Sequence, residues 1–233
     1  MGKFTVDKKF WELFPETKIT FLIAKNVDNT SYRDTPDDLL DKANQKAAKW
    51  VPDDPISENP VVKDWREAFQ KFKTKKGARC AVENLLKRAK NGKGVGQINP
   101  VVDIYNSVSL NWAFPCSSED SDKVVGDLEL TVADGGEKFL PIGEAEVEEA
   151  LPGEVIYKDQ ESVLSRCWAW RDSSRVETTE TSKNLIFYME NVNPERDADH
   201  QNAIKELQSK LKDYLDIDTR VILVTKDNPE AEF

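Results

Sequence analysis

The chain carries one histidine, His200, in 233 residues. That scarcity excludes a histidine cluster for a metal, and no nucleophile–histidine arrangement is expected. Chemistry is left to carboxylates, hydroxyls, amides, arginines, a thiol or ordered water. His200 sits in a polar run at the start of a helical pattern, which predicts a surface position. Cysteine is nearly as scarce. Cys80, Cys116 and Cys167 are odd in number and widely spaced, so they form neither a disulfide framework nor a zinc motif. Cys116 and Cys167 read as buried apolar thiols. No apolar run approaches the roughly 20 residues that span a bilayer, and the first residues lack a signal-peptide segment. A cytoplasmic protein with no membrane partner is expected. No compact Asp/Asn/Gly loop of the calcium type is present, and no metal or other cofactor is expected.

Charge is abundant but uneven. The net charge of −10 argues against non-specific nucleic-acid binding, and no DNA partner is expected. Between Lys63 and Lys93, however, eleven Lys/Arg face three Asp/Glu, a local excess of +8. Such a run is either a solvated helical face or a phosphate-contacting patch. Lys75, Lys76, Lys87 and Arg88 are its candidate RNA-binding residues.

Periodicity gives the organisation. Lys18–Val27 is short, branched and apolar, the pattern of a buried strand. A helix is predicted from an N-cap at Thr35 and Pro36 to about Trp50. Val61, Val62, Trp65, Phe69 and Phe72 recur at helical spacing, as do Val82, Leu85, Leu86 and Ala89. The glycine-rich "KNGKGVG" that follows lacks Walker spacing and reads as a helix stop. Asn99–Pro115 is predicted as a helix, with Val101, Ile104, Val108 and Trp112 on one face. Beyond Gly126 the period changes to two. "DLELTVAD", "EKFLPIG", "EVIYKD", "ESVLSRCWAW" and "NLIFYMEN" read as short strands, and Ala133–Gly136 is a hairpin signal. A last helix carries Ala203, Ile204, Leu207, Leu211 and Leu215. It precedes a strand at Arg220–Thr225 and a frayed acidic tail. The order of elements predicts an α+β chain folded as a single compact domain over 1–233, with a helical N-terminal part at 35–93.

Several blocks carry a resemblance. "INPVVDIYNSVSL", "EDSDKVVGDL" and "RCWAWRDS", with "DWREAF" and "AVENLLKR" upstream, together resemble the tRNA-editing (B-three/B-four) domain of the phenylalanyl-tRNA synthetase beta subunit. The likeness to the synthetase is strongest over 99–192, and the whole chain is similar to the free-standing version of that domain. The resemblance implies a three-layer fold with a β-sandwich-like core of mostly antiparallel strands and flanking helices. It also implies one of two functions. One is a trans-acting hydrolase of misacylated tRNA; the other is a non-catalytic module that binds RNA or an amino acid. The implied partners are tRNA or another structured RNA, and an amino acid or aminoacyl ester.

The resemblance also implies site residues. The pocket asparagine of the synthetase helix matches Asn106, and the threonine before it matches Tyr105. A histidine two residues after the proline is replaced here by Ser117. The glutamate that reads the tyrosine hydroxyl has Arg171 and Asp172 as its nearest counterparts. Asn106 and Ser117 are the implied catalytic pair, holding water at an already activated ester. Tyr105, Arg166, Trp168, Arg171 and Asp172 join them as substrate-binding candidates. Taken as an extended strand, residues 166–171 would turn Ser165, Cys167 and Ala169 to one face and Leu164, Arg166, Trp168 and Trp170 to the other. That pattern fits a packed core and a pocket wall alike.

Overall fold

Two strands rich in branched and aromatic residues organise the structure, a computed structural model describing residues 2–233. Strand β2 (Lys18–Ala24) and strand β10 (Leu185–Asn191) pair antiparallel, and every residue of the second is buried. Their alternation supplies two cores at once. Ile19, Phe21, Ile23, Ile186 and Tyr188 face one side; Leu22, Ala24, Leu185, Phe187 and Met189 face the other. In chain order the elements are β1 (Lys3–Val6), α1 (Lys8–Leu13), β2, α2 (Leu39–Ala47), α3 (Pro60–Gln70), α4 (Ala81–Lys90), α5 (Pro100–Trp112), β3 (Cys116–Asp120), β4 (Leu128–Val132), β5 (Lys138–Phe139), β6 (Glu148–Glu149), β7 (Val155–Lys158), β8 (Val163–Arg166), β9 (Arg171–Asp172), β10, α6 (Asp197–Leu215), β11 (Thr219–Val224) and β12 (Glu230–Glu232).

The four-stranded sheet runs β11-β2-β10-β3, and the six-stranded sheet runs β12-β1-β4-β7-β8-β9. All pairings are antiparallel except β1 with β4. One core lies between the sheets, where Phe4, Leu128, Leu130, Val155 and Tyr157 of the larger sheet meet Phe21 and Tyr188 of the smaller. Helices α3 and α4 extend it with Val62, Trp65, Val82 and Leu86. The second core packs the outer face of the four-stranded sheet on Val101, Ile104 and Val108 of α5 and on Leu207 and Leu211 of α6. This is the α+β arrangement that the order of elements predicts, in the three layers with flanking helices that the resemblance implies.

Local readings were corrected in places. The helix near Thr35 begins later, at Leu39, because Tyr32–Leu39 forms successive turns; the Thr35 hydroxyl is buried without a partner instead of capping. Ala133–Gly136 is not a hairpin. Ala133 exchanges backbone bonds with Gly153 and Glu154, and Pro152 covers Gly135, whose φ of +101° suits glycine alone. His200 is buried, not exposed, and its Nε2 lies 3.1 Å from the Met189 carbonyl. The acidic tail is strand β12, and β1, α1 and β3 had no clear pattern in the sequence.

The β12 edge predicts a measurable cost. Phe233 is almost wholly covered, its ring lies tilted at 47° with its centroid 6.0 Å from that of Phe21, and its backbone exchanges hydrogen bonds with Gly2. Phe233→Ala should lower stability by roughly 3 kcal/mol. Urea denaturation should show this as a lower midpoint with an unchanged slope.

Candidate functional site

Site geometry follows from the registers of β10. Tyr188 pairs with Ser117 and Ile186 with Glu119 across β3, so Ser117 and Glu119 share the inter-sheet face with Tyr188. Glu190, two residues on from Tyr188, points the same way. From the opposite sheet, Tyr157 stacks on Tyr188 with centroids 4.7 Å apart and planes 8° from parallel. The Tyr157 hydroxyl donates to Glu190 Oε1 at 2.7 Å.

The β8–β9 connection closes this end of the sandwich. Ser165 pairs with Asp172 and Arg166 with Arg171, leaving Cys167–Trp170 as a four-residue turn. The expected extended strand is therefore a hairpin. Cys167 and Trp168 take φ of +45° and +63°, in the left-handed region that non-glycine residues rarely occupy. The surroundings hold them there. Ser165 Oγ donates to the Trp168 carbonyl at 2.6 Å, and Trp168 N–H donates to the Val155 carbonyl at 2.6 Å. Glu154 accepts from Cys167 N–H at 2.9 Å and from Arg166 through Nε at 2.9 Å and Nη2 at 2.8 Å. Reversing the chain at this point drives the Trp168 ring into the core. It packs against Phe14 at 4.7 Å and against Phe10 and Trp65 at 5.0 Å each.

Between the turn and β3 lies a cavity of about 40 Å³, lined by Ser117, Tyr157, Ser165, Trp168, Trp170, Asp172 and Glu190 among others. A site needs roughly 10–15 Å³ to hold a water, so there is room for a water-sized group or two and not for an aromatic ring. Its polar groups are unusual. Burial pushes the Glu190 carboxyl up to about 7 and the Asp172 carboxyl up to about 6. Behind them, burial pushes Glu119 up to about 8. Among the described residues, neither oxygen of Glu119 has a hydrogen-bond partner, and the same holds for Trp168 Nε1 and Tyr188 Oη. Unpartnered polar atoms at such depth are costly, and four of the eight among the described residues sit on Glu119, Trp168 and Tyr188. A larger depression, about 410 Å³, runs along Tyr32–Asp41 and Gly96. It is open to solvent, and there Tyr32 already donates to Asp103 at 2.7 Å.

Residues 64–215, about two thirds of the chain, match the B3/4 domain family. This chain belongs to the B3/4 domain family. Over 95 residues, 40% of the chain, it is 30% identical to the phenylalanine–tRNA ligase beta subunit of Corynebacterium jeikeium (strain K411). Over 98 residues, 42% of the chain, it is 29% identical to the same subunit of Mycoplasma genitalium. These stretches span 11% and 12% of those two proteins. An N-terminal fragment of the phenylalanyl-tRNA synthetase beta-subunit from Pyrococcus horikoshii matches over 96% of this chain and 54% of its own, with a TM-score of 0.52 at 12% identity. That likeness establishes a shared fold.

In this B3/4 domain the expected site residues divide. Ser117, Trp168 and Asp172 line the cavity. Tyr105 stands near it, close enough to feel the charge of Asp172; burial pushes its phenol well above the usual range. Asn106 is buried in α5 but does not line the cavity. Arg166 is committed elsewhere, ion-paired with Glu154 and with Glu148 at 2.6 Å. Arg171 points outward, 3.3 Å from Glu144. Of the basic candidates, Lys75 pairs with Glu148 at 2.6 Å, Arg88 donates to the Gly94 carbonyl, and Lys76 and Lys87 are exposed. Sequence reading missed Glu119, Glu190, Tyr157 and Tyr188. The alternation Ile186–Tyr188–Glu190 was the available signal for two of them. Among the described residues no three His, Cys, Asp or Glu side chains are grouped to hold a metal ion, and no helix is long and apolar enough to cross a membrane.

Two buried groups give opposite pH signatures. Glu119 titrates near 8 when folded and 4.5 when free, so it stabilises the fold at low pH and loses that contribution as pH rises from about 4.5 to about 8. His200, pushed down to about 4 chiefly by burial, binds fewer protons folded than unfolded, so stability falls as pH drops from about 6.5 to about 4. Glu119→Gln should flatten the alkaline limb by an amount on the order of a few kcal/mol. Urea midpoints measured from pH 5 to pH 8.5 check this. A variant that keeps the full alkaline slope would remove Glu119 as its source.

Proposed function

We propose that this B3/4 domain receives an amino acid or aminoacyl ester at the cavity and acts as a trans-acting hydrolase of misacylated tRNA. The observation that carries the reading is that Glu190 and the partly buried Asp172 line one cavity without a cationic partner among the described residues, with Glu119 buried behind them and the Trp168 Nε1–H unpartnered on the wall. Structural carboxylates of that depth are normally paired. The family match to synthetase beta subunits supports an aminoacyl substrate.

The mechanism uses Glu190. A carboxyl titrating near 7 is half ionised at neutral pH, which suits a general base. Its carboxylate takes a proton from a cavity water as the water oxygen bonds to the ester carbonyl carbon; the acyl C–O bond then breaks, and the proton held on Glu190 passes to the departing ribose oxygen. The Tyr157 hydroxyl at 2.7 Å orients Glu190. Ser117 supplies a hydroxyl on the facing wall, and Trp168 and Trp170 limit bulk water. Exposed Lys76 precedes α4, and exposed Lys87 and Arg88 lie in its last turn; its first residue, Ala81, lines the cavity and donates its N–H to the Ala169 carbonyl at 2.7 Å. An RNA end leading to the cavity would pass these cations. The small volume favours a second reading, a module that binds RNA or a free amino acid without chemistry.

Deacylation of several mischarged tRNAs by the purified protein tests the choice. The hydrolase reading expects turnover that Glu190→Gln cuts by roughly 10²–10⁴-fold. Tight binding with no turnover for any of them would leave the second reading. Reversing Lys76, Lys87 and Arg88 to glutamate should weaken tRNA binding and flatten its salt dependence. Filter binding at 50 and 200 mM salt reads this, and an unchanged slope would remove the patch from the interface.

A further inference from the structure

We propose that the cavity is a seat for a primary ammonium group, gripped by Asp172 and Glu190. This rests on the cavity being the ligand site of the preceding section, and it names what the ligand must carry. The cavity carboxyls lack a countercharge. Among the described residues no lysine or arginine pairs with Asp172, Glu190 or Glu119, although the chain spends its cations freely on carboxylates elsewhere.

The charged groups nearest the site are all engaged. Lys75, Arg166 and Arg171 lie 5.7, 6.0 and 5.7 Å from the Trp170 ring, yet each is tied to a glutamate: Lys75 and Arg166 to Glu148, Arg166 also to Glu154, and Arg171 to Glu144. Arg175, which acts on Glu119, is held by Asp159 and Glu161. The remaining titratable neighbours are the buried Tyr157, Tyr188 and Cys116 and the partly buried Tyr105, all pushed up by desolvation and neutral at physiological pH.

Donors for an ionised Glu190 are nevertheless in place. Tyr157 donates to it already, and Trp168, fully buried on the same cavity wall, turns an unpartnered Nε1–H there. Neutral donors thus await an anion whose cation is not part of the protein. A volume of about 40 Å³ fits an ammonium head and excludes an aromatic side chain. The ligand is therefore an amino acid or aminoacyl group presented ammonium-first, through either its α-amino group or an aliphatic side-chain amine. Its entry drives a proton off the carboxyl pair, so affinity tightens as pH rises through the neutral range.

The test follows the indole N–H signal of Trp168 in ¹⁵N-labelled protein. Methylammonium chloride should shift it, while methanol of matching size and sodium chloride of matching strength should not. Affinity should rise by up to about tenfold from pH 6 to pH 7 for one proton released. Norleucine amide and 1,5-diaminopentane separate the two amine sources: a shift with only the first assigns the α-ammonium, with only the second a side-chain amine. Asp172→Asn should weaken binding at least about tenfold. If that variant does not fold, the wild-type pH series still decides. An equal response to methanol, no response to any ammonium, or binding that weakens as pH rises would overturn the proposal. Ammonium binding without ester hydrolysis would remove the hydrolase reading and leave this one. Ester hydrolysis that methylammonium does not inhibit would do the reverse.

Discussion

The Glu154 carboxylate is the fixed point on which the candidate site depends. It is fully buried and accepts the fork of Arg166, the N–H groups of Leu151 and Cys167, and the Cys167 thiol at 3.2 Å. Burial alone would push its pKa up, but these donors outweigh it and hold the group below the usual carboxylate range. The same bonds stabilise two left-handed residues that would otherwise be strained. Without the clamp, the turn would have no reason to reverse at Cys167. Trp168 would leave the aromatic cluster of Phe10, Phe14 and Trp65, and the cavity would lose a wall. A charge buried this deep contributes position more than stability.

Glu154 contrasts with the cavity carboxyls Glu190 and Asp172 and with Glu119 behind them. All four are glutamates or aspartates in the same inter-sheet region. One is compensated and ionised, while the others are desolvated and held near neutrality. Solvation and partners, not residue type, separate a structural acid from one with chemical potential. In a chain with a single, buried histidine, such acids are the groups able to titrate near pH 7.

Legibility in the sequence follows the same division. Helices α3, α4 and α5 were readable because their apolar spacing is regular and because Pro60, Pro100 and Asn99 mark starts; the Asn99 side chain does cap Val102 N–H. Strand β10 was readable as an apolar run. The hairpin at Cys167 was not, because cysteine and tryptophan announce strands and nothing local warns of positive φ. It takes Glu154, a dozen residues upstream, to impose it. Ser117 and Asp172 were reached through resemblance, and they do meet at the cavity. Glu119 escaped notice because "SSED" looks like a polar loop, whereas pairing with β10 turns it into edge strand β3 and buries the side chain. Arg166 looked available as a ligand group because its two glutamate partners are remote in sequence.

Strand β1 sits between β12 and β4, so residues from both ends of the described chain are woven into one border of the six-stranded sheet, while β9 forms the other. Anything covalently joined to either end would therefore depart from the same rim. The cavity is at the far rim. The chain ends and the strand that carries Asp172 thus stand at opposite edges of a single sheet.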